Sequence, residues 1–188
     1  MKKLLLLLII TMPLIAFSQG KKSIDGFLDI PFGSDSITVK NAIAAKGGKQ
    51  IDSLSRKDSP VFAGFTVSGR EVGCVIKFVD NKAYEADFIF VVSPEDEVLD
   101  FYDNLRNDIN AVYGKGILTN NFRDSENNRT RIRMLKSGNQ FCTTLWRSKN
   151  KNAASLEFQS TVHSLNVMLV YQDAALFSLV QSRRRSDL

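Results

Sequence analysis

The sequence predicts an α+β fold: tandem helix-plus-strand units forming a twisted antiparallel sheet, with helices packed on one face. Three observations carry that prediction. Short runs rich in β-branched and aromatic residues recur between turn-forming residues, over 61–92 and again over 129–171. A segment with helical spacing precedes each set of runs. The connections within each set are hairpin-length, which makes the strands antiparallel and leaves the helices to cover a face.

The chain opens with Lys2 and Lys3, an apolar run over 4–10, a second run to Phe17, and small residues at Ala16 and Ser18. Charged start, apolar middle and small-residue end are the parts of a secretory signal, with the cut expected after Ser18. The uncharged stretch 4–19 is interrupted by Pro13 and falls short of the roughly twenty apolar residues that a bilayer needs. Neither cysteine, Cys74 or Cys142, lies near the cut, so a lipid-modified lipoprotein is not expected. The expected location is periplasmic or secreted, with no membrane span after cleavage.

Two units then follow, 19–93 and 94–188. In the first, Phe27-Leu28-Asp29-Ile30-Pro31-Phe32-Gly33 is an apolar segment stopped by proline and glycine. Ser34, Asp35 and Ser36 can cap a helix through Val39, Ala42 and Ile43, which Gly47 and Gly48 end. Three strands are predicted at 61–67, 72–79 and 83–92. In the second unit, Ser93-Pro94-Glu95-Asp96-Glu97 opens the clearest helix, with proline and acids where a first turn favours them. Leu99, Tyr102, Leu105, Ile109, Val112 and Tyr113 give it one apolar stripe. After an Asn-rich loop over 120–128, four strands are predicted at 129–135, 140–147, 153–160 and 165–171. A helix over 173–183 closes the chain. Gly69 before Cys74 and Gly138 before Cys142 sit alike in the two units, which suggests a duplication.

Phe27-Leu28-Asp29-Ile30-Pro31-Phe32-Gly33-Ser34 ahead of a short helix resembles the opening of small secreted bacterial domains with the β-lactamase-inhibitor-protein-like fold, also seen in BamE-like modules of outer-membrane assembly. Val112-Tyr113-Gly114-Lys115, Val170-Tyr171-Gln172-Asp173 and the terminal Asp187-Leu188 fit the same group. The resemblance implies helix-on-sheet modules that bind other proteins, usually without catalysis. No inhibitory loop and no lipoprotein cysteine is recognisable, so neither named function carries over.

The formal charge of +5 falls to +3 when the first 18 residues, with their two lysines, are removed. That modest charge and an exported location argue against nucleic acid as a partner. With 44% apolar residues and thirteen phenylalanines, a sizeable core is expected.

Catalytic motifs are sparse. His163 is the single histidine, in a predicted turn, and no Gly-x-Ser-x-Gly elbow surrounds any serine. One histidine and two cysteines 68 positions apart do not make a zinc site, and no calcium or phosphate-binding loop appears. No catalytic residue, metal ligand or cofactor is therefore assigned. Glu85 and Asp87 alternate on one strand face; they read as a solvated face or as the carboxylate pair of a small hydrolase. Arg129, Arg131 and Arg133 alternate on a predicted strand, a contact for an anionic ligand or acidic partner or else a charged edge that deters aggregation. Arg183-Arg184-Arg185 read as a solvated helix end. Cys74 and Cys142 could form one disulfide or remain two buried thiols.

The function expected is an exported, non-catalytic binding module whose partner is another envelope or extracellular protein. A small periplasmic hydrolase and an accessory subunit of an envelope assembly are the alternatives.

Overall fold

The computed structural model describes residues 21–161 and 164–186. The expected signal segment, His163 and the terminal Asp187-Leu188 lie outside the described residues.

The fold is α+β. Two two-residue strands, β1 (Gly26–Phe27) and β2 (Ile30–Pro31), pair as a hairpin. Helix α1 (Ser36–Ala45) follows, capped where expected: the Asp35 carboxylate accepts the Thr38 N–H at 2.8 Å. The strands β3 (Lys49–Gln50), β4 (Val61–Val67), β5 (Arg70–Val79) and β6 (Lys82–Phe90) then form one meander. Asp80 and Asn81 turn β5 into β6 with φ of 50° and 58°, left-handed values that Asp and Asn tolerate best after glycine.

The acids after Ser93-Pro94 form a single 3-10 turn, Glu95–Glu97, and helix α2 proper runs Val98–Tyr113. Next come β7 (Ile117–Asn120), α3 (Asn128–Lys136), β8 (Cys142–Arg147), β9 (Ala153–Ser160), β10 (Leu165–Gln172) and α4 (Ala174–Ser186). All strands after β2 join one eight-stranded antiparallel sheet, ordered β3-β4-β5-β6-β10-β9-β8-β7. Two meanders thus meet along β6 and β10, where Val167 faces Phe90, Leu169 faces Phe88 and Tyr171 faces Ala86.

One face of the sheet is the core. Phe62, Cys74, Ile76, Phe88, Phe90, Val167, Leu169, Leu156 and Trp146 lie on it, and Val39 and Ile43 of α1, Val98 to Ile109 of α2, and Ile132 and Leu135 of α3 close over it. Helix α4 stands apart from that cluster. None of its residues is buried, its Phe177 meets the Tyr84 ring at 6.4 Å, and Arg183 binds Asp80 through two hydrogen bonds of 2.9 and 2.7 Å. Arg183 thus tethers the exposed helix end to the β5–β6 turn, and Arg184 and Arg185 are exposed beside it.

Two sequence expectations are corrected. Residues 129–135 are helical, not a strand: the Asn127 side chain accepts the Thr130 N–H at 2.9 Å, and the buried positions, Ile132 and Leu135, are three apart. That spacing belongs to a helix face. The fourth strand of the second half is β7 instead, which ends where the Asn-rich loop begins. Of the two readings left open for the cysteines, the structure has the second: both thiols are free and buried. Cys74 on β5 and Cys142 on β8 stand four strands apart in the sheet, roughly 19 Å at the usual spacing, against the roughly 7 Å a bridge allows.

Candidate binding cleft

Helix α2 presses Leu99, Tyr102, Leu105 and Ile109 into the core and leaves Asp100 and Asp103 exposed. Tyr102 fixes its position. Its hydroxyl lies 2.9 Å from the Thr144 hydroxyl and donates to the Leu156 carbonyl at 3.1 Å, and its ring stacks on Phe158 at 4.6 Å. Burial pushes the phenol well above its ordinary range, so it serves as a neutral hydrogen-bonding anchor.

Beyond α2 the chain forms β7 and returns through residues 121–127 to α3. Side chains hold this return in place. Asn121 accepts the Phe141 N–H at 2.8 Å, Asn120 accepts the Phe122 N–H at 3.2 Å, and Glu126 accepts the Arg123 N–H at 3.0 Å. Arg123 and Gln140 beside Glu126 hold its carboxyl below the ordinary range. Between α2, β7 and α3 remains a cleft of about 220 Å³, whose walls include Tyr102, Arg106, Asn120, Phe122, Arg131 and Phe158.

Arg131 is the distinctive member. Its guanidinium lies 5.2 Å over the Phe122 ring, and Nη2 donates to the Arg123 carbonyl at a long 3.4 Å. Its Nε is buried and has no hydrogen-bond partner among the described residues. The other cation of the cleft, Arg106, is already paired with Asp103 at 3.0 Å. Arg131 thus keeps one buried donor without a partner, is held by an aromatic face, and has the Glu126 carboxylate within reach of its charge.

The three arginines of the sequence reading do not stay together. Arg131 faces the cleft, while Arg129 and Arg133, both exposed, border a shallow surface with Glu95, Ile132 and Lys136. Lys136 pairs with Glu95 at 2.9 Å, and Glu95 also accepts the Leu165 N–H at 3.0 Å. Those contacts hold its carboxyl below the ordinary range. Arg106, Phe122 and Asn120 were not singled out from sequence. The signal that could have found them was Asn127 as a helix cap, because it makes the following residues a helix that supplies part of the cleft wall.

Glu85 and Asp87 lie on the opposite face of the sheet, as their alternation requires, but that stretch is not the solvated face read from sequence: their side chains are only 9% and 14% exposed. Lys77 bridges them, donating to Glu85 Oε1 and, at 2.9 Å, to Asp87 Oδ2. Gln172 donates to the second Glu85 oxygen. Burial raises the Asp87 carboxyl, against the lowering effect of Lys77. Each Glu85 oxygen accepts one hydrogen bond from a neighbour, an arrangement that joins three strands, while Asp87 Oδ1 is buried with no hydrogen-bond partner among the described residues. Among the described residues, no group of three or more His, Cys, Asp or Glu side chains is placed to hold a metal ion.

An α+β chain with an eight-stranded antiparallel sheet and a small cleft lined by two arginines and two aspartates is the class that fold and site define. No family model, curated protein or solved structure matches the chain. Among the described residues no helix is long and apolar enough to cross a membrane.

Proposed function

We propose that the chain is an exported, non-catalytic binding module that takes an acidic group of an envelope or extracellular protein into the cleft between α2 and α3. One observation carries this reading: Arg131 lies over Phe122, and its Nε has no hydrogen-bond partner among the described residues. A preset guanidinium fork recognises a carboxylate through paired, charge-assisted hydrogen bonds. Arg129, Arg133 and Lys136 add cations to the same helix, which carries no acid. The lysine-led apolar start of the sequence supports export, and the resemblance of its Phe27–Ser34 stretch to secreted binding modules supports a protein partner.

The test is photo-crosslinking in the producing cell from a benzophenone residue at Asn128, an exposed position in the cleft wall. A discrete adduct is expected, reduced about tenfold by Arg131→Gln, the scale of one lost charge-assisted hydrogen bond. Arg131→Lys should restore little, since the fork is gone. No adduct, or one indifferent to Arg131, overturns the proposal.

A further inference from the structure

Strand β7 is an edge of the sheet, and all four of its residues are exposed. Ile117 is 68% exposed and Leu118 44%, and Phe141 beside them is 51% exposed. Edge strands normally carry charge, proline, a bulge or a cover that prevents further pairing. Ile117-Leu118-Thr119-Asn120 contains no charge and no proline, and its register with β8 is unbroken. The other edge, β3, is only two residues long and includes Lys49. One edge is protected and the other is not.

The register fixes which backbone groups of β7 point outward. Asn121 N–H donates to the Phe141 carbonyl. In an antiparallel ladder, hydrogen-bonded and non-hydrogen-bonded pairs alternate. Asn121, Thr119 and Ile117 therefore bond inward to β8, and Leu118 and Asn120 turn their N–H and C=O to the open side. The ends of this ledge are closed, because Gly116 N–H donates to the Asn110 side chain at 2.9 Å and Phe122 N–H to the Asn120 side chain. The side chains of Leu118 and Asn120 line the cleft that holds Arg131. A strand added at Leu118 and Asn120 would place its own same-face side chains about 5 Å from theirs, over that cleft.

We infer that β7 is a docking edge for an extended segment of a partner protein, one that adds as a ninth strand and points an acidic side chain at Arg131. This rests on the binding reading above and names the form of the partner. Charge complementarity selects the occupant: of the two cations in the cleft wall, Arg106 is paired with Asp103, whereas Arg131 of α3 keeps Nε without a hydrogen-bond partner among the described residues. A second copy would bring only Ile-Leu-Thr-Asn to this edge, with nothing for Arg131.

The test uses a short acetylated, amidated peptide of alternating valine and glutamate, followed by nuclear magnetic resonance and fluorescence anisotropy. Binding should protect the amide protons of Leu118 and Asn120 in the unaltered protein. Leu118→Pro should weaken binding about tenfold with little change in melting temperature. The N–H it removes faces outward, where proline is tolerated in a strand. Arg131-dependent binding that leaves both amides unprotected overturns strand addition while the cleft reading stands. A peptide that does not bind overturns both. A dimer dissociated by Leu118→Pro would assign the edge to a second copy and also overturns the inference.

Discussion

At the residue scale, hydrogen bonding decides what a side chain of given polarity can do in the core. Tyr102 is 2% exposed and Thr144 1%, yet neither hydroxyl is stranded, because each satisfies the other. Tyr102→Phe removes the donor to Leu156 and leaves the Thr144 hydroxyl short of a partner. The expected cost is about 1–2 kcal/mol, read from urea denaturation with an unchanged slope. Thr144→Val added to that variant should recover part of the loss, since it withdraws the group left wanting. An unchanged denaturation midpoint in Tyr102→Phe would show that the pair contributes nothing. Glu95 illustrates a different outcome for a polar residue. Its place after Ser93-Pro94 suggested a helix start, but its carboxylate instead joins Lys136 of α3 to the Leu165 N–H of β10.

At the element scale, the outer face of the sheet carries a cost that pH can expose. Glu157 of β9 lies opposite Met168. Burial first, and the nearby Asp87 carboxylate second, raise its carboxyl above the ordinary range. The native state therefore holds a proton that the unfolded chain releases over the interval above the ordinary glutamate value, and stability declines as pH rises through it. Glu157→Gln is expected to raise the melting temperature at about pH 7 by roughly 2 °C, with the gain fading toward about pH 4. Equal melting curves at neutral pH would overturn this. How legible each element was follows from the same physics. Strands β4, β5, β6, β9 and β10 were readable because alternation and turn residues agreed. Helix α3 was misread because Arg129, Arg131 and Arg133 alternate with Thr130, Ile132 and Met134, a two-residue period that masks the helical pair Ile132 and Leu135. Strand β7 was missed because an edge has little burial to pattern it: its four residues are all exposed. The cleft depends on both, so only Arg131 of its walls was singled out as a contact from sequence.

At the scale of the whole molecule, the strand order governs what the two halves can share. Cys74 and Cys142 belong to different meanders, and burial pushes the Cys74 thiol up to about 12. Neither thiolate is available at neutral pH. A thiol reagent should find no fast-reacting cysteine in the native protein and both after denaturation without reductant; a native thiol reacting as fast as a free peptide would contradict the burial. The seam between the halves also has a consequence in time. β10 is the last strand of the chain, yet it lies between β6 and β9. A chain that emerges N-terminus first completes β6 long before its neighbour exists, and Phe88 and Phe90 wait on an unmatched border until residues 165–172 arrive. A nascent chain stopped short of Leu165 holds two half-sheets and no strand to unite them. Whatever keeps the growing polypeptide from sticking to itself must therefore act until residues 165–172 have been made.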